Sequence, residues 1–142
     1  MPTRILAVDD NPAILEVIQL MLEELNCDVV ALSDSRQAAE QVNDQEFDGV
    51  LLDSQMPFMD GLELARLIRH SAKNAAVPIV MLTGTQVGSG RSSNPQGPVT
   101  FFVEKPFDMR TLERVLADIA ACAQAGRDLP SAAPEIRRAA PR

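Results

Sequence analysis

Apolar runs of two kinds alternate along this chain. Short, nearly continuous runs are typical of strands buried on both faces of a parallel sheet, whereas apolar residues recurring every three or four positions indicate amphipathic helices. Five short runs predict strands at about 4–8, 28–32, 49–52, 79–82 and 100–103. Because these runs alternate with helical ones, we expect one α/β domain in which helices cover both faces of the sheet.

Four helices are predicted between and after these strands. The first is the clearest, because Asn11 can cap it, Pro12 suits its first position, and its apolar residues form one stripe. That stripe contains Ile14, Leu15, Ile18, Met21, Leu22 and Leu25. The other helices are expected at about 35–45, at about 61–71, and from a cap at Asp108 to an end at Gly126.

Two stretches break the alternation. Residues 84–98 are rich in Gly, Ser and Pro and carry no apolar stripe, so the helix expected after the fourth strand is reduced or absent. Residues 127–142 are rich in Pro, Ala and Arg and show no periodicity. We therefore expect a folded domain at 1–126 and a flexible C-terminal tail at 127–142.

Composition narrows the class of protein. The chain has 142 residues, 46% of them apolar, which suffices for one ordinary core. No apolar run is long enough to span a bilayer, and no signal-peptide pattern is present. A net charge of -7 disfavours binding to nucleic acid or to anionic membranes. We expect a cytoplasmic protein, with Cys27 and Cys122 serving only as small apolar residues.

Charged and hydroxyl residues follow four of the five predicted strands. Asp9 and Asp10 follow the first, Asp53 the third, Thr83 the fourth and Lys105 the fifth. Because the carboxyl ends of parallel strands meet at one edge of a sheet, these side chains should lie together. Three carboxylates in a small space repel one another and suit a hard divalent cation such as Mg²⁺. The pattern therefore indicates phosphoryl chemistry.

The motifs VDDN, LLDSQMPFMDG, MLTG and EKPF occur in this order, each at a predicted strand end. Together they resemble the response-regulator receiver domain of bacterial two-component signalling, in its stand-alone single-domain type, over about residues 4–126. The resemblance implies a flavodoxin-like, doubly wound fold whose five parallel strands have the order 2-1-3-4-5. It also implies a phosphoacceptor signalling domain that catalyses only its own phosphorylation and dephosphorylation, rather than an enzyme.

The resemblance further implies a role for individual residues. Asp53 would accept the phosphoryl group. Asp10, Asp53 and the backbone carbonyl of Gln55 would ligate Mg²⁺, while Asp9 would share in this binding or hold metal-bound water. Lys105 would pair with the phosphoryl oxygens, and a cis peptide bond would join it to Pro106.

Two more residues would carry the response to phosphorylation. The Thr83 hydroxyl would bond the phosphoryl group, and Phe102 would be the aromatic side chain that moves inward as the Thr hydroxyl is drawn to it. Phenylalanine lacks the hydroxyl of the commoner tyrosine, so its inward position should be favoured by burial. Gln55 and Thr85 stand where the family adjusts hydrolysis of the acyl phosphate. We expect residues 84–98 to become ordered on phosphorylation.

The phosphodonor must come from outside the chain. His70, the only histidine, is expected to be a solvated or capping residue near a helix end. The resemblance implies a sensor histidine kinase or a histidine phosphotransfer protein as donor, an unidentified protein as downstream partner, and a monomer or a phosphorylation-dependent dimer. Two alternatives stay open. One is an aspartyl-phosphate-type phosphatase, which expects an acid where Gln55 stands. The other is a phosphorylation-independent scaffold.

Overall fold

A sheet of mostly parallel strands carries helices on both faces in this computed structural model. The structure describes residues 3–84, 90–91 and 97–128, and for residues 90–91 and 123–128 it describes only the backbone. The strands are β1 (Thr3–Val8), β2 (Cys27–Leu32), β3 (Gly49–Asp53), β4 (Ile79–Thr83), β5 (Gly90–Arg91) and β6 (Phe101–Glu104). The helices are α1 (Pro12–Glu24), α2 (Ser35–Asp44), α3 (Gly61–Arg69) and α4 (Met109–Asp128).

The strand order is β2-β1-β3-β4-β6-β5. The first five strands in this order are parallel, which confirms the predicted five-stranded sheet with order 2-1-3-4-5, since β6 is the predicted fifth strand. The two-residue strand β5 was not predicted and pairs antiparallel with β6. No helix is described between β4 and β6. Residues 85–89 and 92–96 lie outside the described residues, and so do Thr85 and most of the segment expected to become ordered.

Two hydrophobic cores lie on opposite faces of the sheet. Successive residues of β1 divide between them, with Ile5 and Ala7 in one core and Leu6 and Val8 in the other. Helices α1 and α4 cover the first core, and helices α2 and α3 cover the second. All six residues of the predicted α1 stripe contribute to the first core. The apolar periodicity therefore located the buried face of this helix correctly.

The helix starts agree with the sequence-based expectations, but one helix end does not. The Asn11 side chain caps α1 by accepting hydrogen bonds from the amides of Ala13 and Ile14 at 3.0 and 3.3 Å. The prediction that Gly126 ends the last helix was wrong, because α4 continues to Asp128. One helix-interior glycine costs only about 1 kcal/mol, and good helix formers precede it. Residues 129–142 of the predicted tail lie outside the described part.

None of the described helices is both long and apolar enough to cross a bilayer. His70 is exposed and caps the C-terminus of α3, as expected. Cys27 is buried and Cys122 half-buried, and both pack against the first core.

Gly61, at the start of α3, lies tightly against the end of β3. A Cβ atom at this position would collide with the Asp53 carbonyl oxygen and would lie 2.7 Å from the Met81 Sδ. The Gly61 amide also donates a hydrogen bond to the Ser54 carbonyl at 3.1 Å. The residue that follows the α3 cap therefore determines how closely this helix approaches Asp53.

We predict that Gly61→Ala destabilises the fold, because the new methyl group must displace backbone rather than a flexible side chain. The expected loss in the free energy of unfolding is about 1–3 kcal/mol, the usual cost of overpacking. Urea denaturation measures it.

Gly84→Ala is the matched control, because a Cβ atom there meets nothing within 4 Å. Equal stability of the two variants would contradict the tight contact at Gly61.

Candidate functional site

Three carboxylates meet at the carboxyl ends of β1 and β3. These strands are neighbours in the sheet, and the last residue of β1, Val8, pairs with Leu52, the residue before Asp53. As a result, one carboxylate oxygen from each of Asp9, Asp10 and Asp53 lies within 4.8 Å of the others. Asp9 and Asp53 are buried, whereas Asp10 is exposed. The cluster therefore has two buried acids and one that faces solvent.

The Lys105 ammonium lies between the two buried carboxylates. Its Nζ is 3.0 Å from the Asp53 Oδ1 and 3.3 Å from the Asp9 Oδ2. The end of β6 places it there, because the Lys105 amide donates to the Thr83 carbonyl at 2.7 Å. The peptide bond to Pro106 is cis, as the resemblance implied. Lysine is thus the positive group that directly compensates these two acids.

The local backbone orients Asp9 independently of Lys105. The Asn11 amide donates to the Asp9 Oδ1 at 2.9 Å, and the Asn11 side chain in turn caps α1. The two oxygens of this buried carboxylate therefore have different partners, one the backbone and the other the ammonium. The sequence had indicated Asn11 as a cap, but nothing in it indicated this bond to Asp9.

The charges of the site shift the protonation of its members. Burial raises the pKa of Asp53, and the nearby Asp9 charge adds to this rise, while the hydrogen bond from Lys105 opposes it. Burial by itself lowers the pKa of Lys105, but its bonds to Asp53 and Asp9 outweigh burial and leave that pKa raised. Without further positive charge, the site therefore disfavours the Asp53 carboxylate and favours the Lys105 ammonium.

Two cavities open at this edge of the sheet. One, of about 450 Å³, is lined by the acidic cluster and Lys105 together with Gln55 and Gly84. The other, of about 540 Å³, is lined by Thr83, Phe102 and Met81, and it shares Ser54 and Gln55 with the first. Thr83 is buried, and Phe102 is half-buried against the second core. Thr83 therefore lines the adjoining cavity rather than the acidic one.

The structure brings together the four charged residues that the sequence singled out, Asp9, Asp10, Asp53 and Lys105. Sequence reasoning missed the direct pairing of Lys105 with Asp9, because it had assigned the lysine to phosphoryl oxygens. It also missed the contact of the Arg36 guanidinium in α2 with the Phe58 ring, in the connection from β3 to α3, at 3.8 Å from the ring centroid. No local signal could reveal that contact, since the partners belong to different elements far apart in the chain.

We predict that Asp53→Asn raises the free energy of unfolding at neutral pH in EDTA. Because the pKa of Asp53 is raised in the folded state, its ionised carboxylate destabilises the fold at pH values above the unfolded-state pKa. The neutral amide of asparagine removes this destabilisation. The expected gain is about 1 kcal/mol, the scale of an ordinary point substitution. It should shrink as the pH falls through the raised folded-state pKa and should be nearly gone by about pH 3, where the wild-type carboxyl is largely protonated in both states.

Glu46→Gln is the control for this prediction, because it removes one charge from an exposed loop position. Urea denaturation across this pH range compares the variants. A stability loss in Asp53→Asn at neutral pH would contradict the assignment of net charge repulsion to this site.

Comparison with known proteins agrees with this geometry. The chain is 37% identical over 116 residues to the sensor protein GacS of Pseudomonas syringae pv. syringae, covering 80% of this chain but 13% of that protein. It is 34% identical over 117 residues to the response regulator MprA of Mycolicibacterium vanbaalenii, covering 82% of this chain and 48% of MprA. The chain thus spans less than half the length of either relative.

Solved structures show the same fold. The receiver domain of the sensor histidine kinase PA1611 from Pseudomonas aeruginosa PAO1, which has a magnesium ion in its active-site cleft, matches with a TM-score of 0.73 and 30% identity. The match covers 84% of this chain and 99% of that domain. The family profile of the response regulator receiver domain matches residues 5–117. With its sheet order, acidic cluster and lysine, the chain belongs to the response regulator receiver domains of two-component signalling.

Proposed function

We propose that this receiver domain accepts a phosphoryl group on Asp53, with the help of Mg²⁺, and then binds a downstream protein through its altered surface. The observation that carries the proposal is the Asp53 carboxylate, which lies within reach of two further carboxylates and is bonded to the Lys105 ammonium. Such a cluster does little to stabilise the fold, because three like charges are held close together with one ammonium beside them. It suits a site that receives charged ligands, namely a metal cation and a phosphoryl group.

The residues present fit Mg²⁺. Asp9, Asp10 and Asp53 contribute three negative charges and Lys105 one positive charge, so a dication would neutralise the sum. Carboxylate oxygens are the ligands this ion prefers, and it usually keeps several waters, which the exposed Asp10 permits. Asp10, Asp53 and the Gln55 carbonyl would hold it, with Asp9 alongside. When bound, the ion would supply positive charge to the transferring phosphoryl oxygens.

The chemistry proposed for the chain's own residues is one displacement. An oxygen of Asp53 forms a bond to phosphorus while the bond from phosphorus to the donor's imidazole nitrogen breaks, and that nitrogen keeps the electron pair. Lys105 already holds the Asp53 Oδ1 at 3.0 Å, which orients the carboxylate. Its ammonium would then stabilise the charge of the phosphoryl oxygens, and its raised pKa favours the charged form needed.

The downstream response is proposed for Thr83 and Phe102. Both line the cavity adjoining the acidic site, and both cavities share Ser54 and Gln55. A hydroxyl drawn towards a phosphoryl group on Asp53 would vacate space beside Phe102. Inward packing of that ring would then change the surface near β6. Phe102 is half-buried, which supports the proposal that its ring can move further inward.

The donor we propose is a phosphohistidine on a sensor histidine kinase or on a histidine phosphotransfer protein. Support comes from the relatives, among which are GacS and the signal transduction histidine-protein kinase BarA of Escherichia coli strain K12, 30% identical over 112 residues. The cytoplasmic location, the stand-alone type and the monomeric or phosphorylation-dependent dimeric state stay predictions. So do the downstream protein and the absence of enzymatic activity on other substrates.

We predict that acetyl phosphate with Mg²⁺ adds one phosphoryl group to the protein and that Asp53→Ala abolishes this addition. Intact mass spectrometry measures it, because an acyl phosphate survives brief acid quenching. Asp44→Ala, which changes an exposed residue at the end of α2, is the control and should still gain the group. An unchanged mass in the wild type, or a gain in Asp53→Ala, would refute the assignment of Asp53.

We also predict that Mg²⁺ stabilises the fold, because a ligand that binds only the folded state shifts the unfolding equilibrium. At ten times its Kd the ion should add about 1.4 kcal/mol to the free energy of unfolding. Asp10→Asn should lose most of this gain, since the variant lacks one ligand.

Glu46→Gln should keep the full stabilisation by Mg²⁺ and controls for the loss of one charge. Thermal or urea unfolding with Mg²⁺ and with EDTA measures the difference. An undiminished gain in Asp10→Asn would remove this residue from the metal site.

A further inference from the structure

The connection between β3 and α3, residues 54–60, contains a backbone conformation that its side chain does not favour. Phe58 has φ 70°, in the left-handed region, where bulky residues are rare. Its ring is not withdrawn into the core either, because 74% of the residue is exposed. The Met59 amide donates to the Pro57 carbonyl at 2.7 Å and closes a local turn around Phe58. This turn leaves the ring itself exposed, so the ring is open to a contact from elsewhere in the chain.

That contact comes from the first turn of α2. The Arg36 guanidinium carbon lies 3.8 Å from the centroid of the Phe58 ring, the geometry of a cation–π interaction. The guanidinium is itself fixed by Asp34, the N-cap of α2, through bonds of 2.9 and 3.1 Å. The same carboxylate accepts the Arg36 amide at 2.8 Å. The cation is therefore oriented by its own helix before it meets the ring.

A second bond joins the same two elements. Ser35 is only 2% exposed, and its hydroxyl donates to the Pro57 carbonyl at 3.4 Å. Two consecutive residues of α2 thus contact two consecutive residues of the connection. Asp53 immediately precedes that connection. Gln55, whose carbonyl is a proposed Mg²⁺ ligand, lies within the connection and lines the acidic cavity.

We propose that Arg36, oriented by Asp34, is a positioning residue for the metal site. By stacking on Phe58, it restricts the connection so that the Gln55 carbonyl stays beside Asp53 and Asp10. Arg36 touches neither the ion nor the phosphoryl group and acts only through the backbone between residues 55 and 58. This inference rests on the proposed function, because it requires Mg²⁺ to bind here.

The sign of the effect separates positioning from simple electrostatics. Removing a positive charge near an acidic site should strengthen cation binding if charge alone matters. Loss of a positioning contact should weaken it instead. Arg36→Gln is therefore expected to raise the Kd for Mg²⁺ about two- to fivefold, roughly what an exposed cation–π contact can supply. Arg66→Gln, at an exposed position of α3, controls for the loss of charge and should not weaken binding.

The test is a double-mutant cycle read by calorimetric titration of the full chain with MgCl₂. Arg36→Gln and Phe58→Leu should each weaken binding, and the combined variant should be no weaker than the poorer single one, since both remove the same contact. Additive losses, or tighter binding in Arg36→Gln, would overturn the proposal. Arg36→Lys keeps the charge but loses the planar guanidinium that makes two hydrogen bonds to Asp34, so it should also weaken Mg²⁺ binding.

A second readout needs no metal. Amide hydrogen exchange in EDTA should be faster at residues 54–60 in Arg36→Gln than in the wild type, while amides of β1 and β3 remain unchanged. Equal exchange at 54–60 would overturn the positioning role even if the Kd changed. Wild-type protein that binds no Mg²⁺ would instead refute the proposed metal site, so the two failures are distinguishable.

Discussion

The concentration of negative charge at one edge of the sheet is the constraint on which the rest of this structure depends. Two of the three carboxylates are buried, and one ammonium lies between them. Burial of like charges opposes folding, so the surrounding elements must hold the acids in place by other means. The adjacency of β1 and β3 does this for the carboxylates, and the pairing of β4 with β6 does it for Lys105.

Backbone contacts provide much of that restraint. The Asn11 amide holds Asp9, the Thr83 carbonyl holds the Lys105 amide, and the absence of a side chain at Gly61 lets α3 approach the end of β3. The backbone groups in these contacts do not titrate, and none of the contacts includes a bound ion. The strands that carry the acids are therefore held by contacts that include no ligand.

The sequence predicted the five strands and the charged cluster for a common physical reason, whereas the strand order was implied by the family resemblance. Buried parallel strands are almost continuously apolar, so the polar residue that ends each one is conspicuous, as at Asp53 and Lys105. The apolar stripe of α1 and its Asn11 cap were equally clear from the sequence. The sequence did not indicate the pairing of β5 with β6, the continuation of α4 past Gly126, or the stacking of Arg36 on Phe58. Each of these features depends on tertiary neighbours or on a small energetic balance rather than on local sequence pattern.

The bond between Lys105 and Asp9 joins residues that are 96 positions apart. Closing a loop of this length costs entropy, which the packing of the intervening chain helps to offset. An elongating polypeptide on the ribosome therefore carries its first acids long before the lysine that partly neutralises them is synthesised. Until β6 joins the sheet, those carboxylates lack this partner.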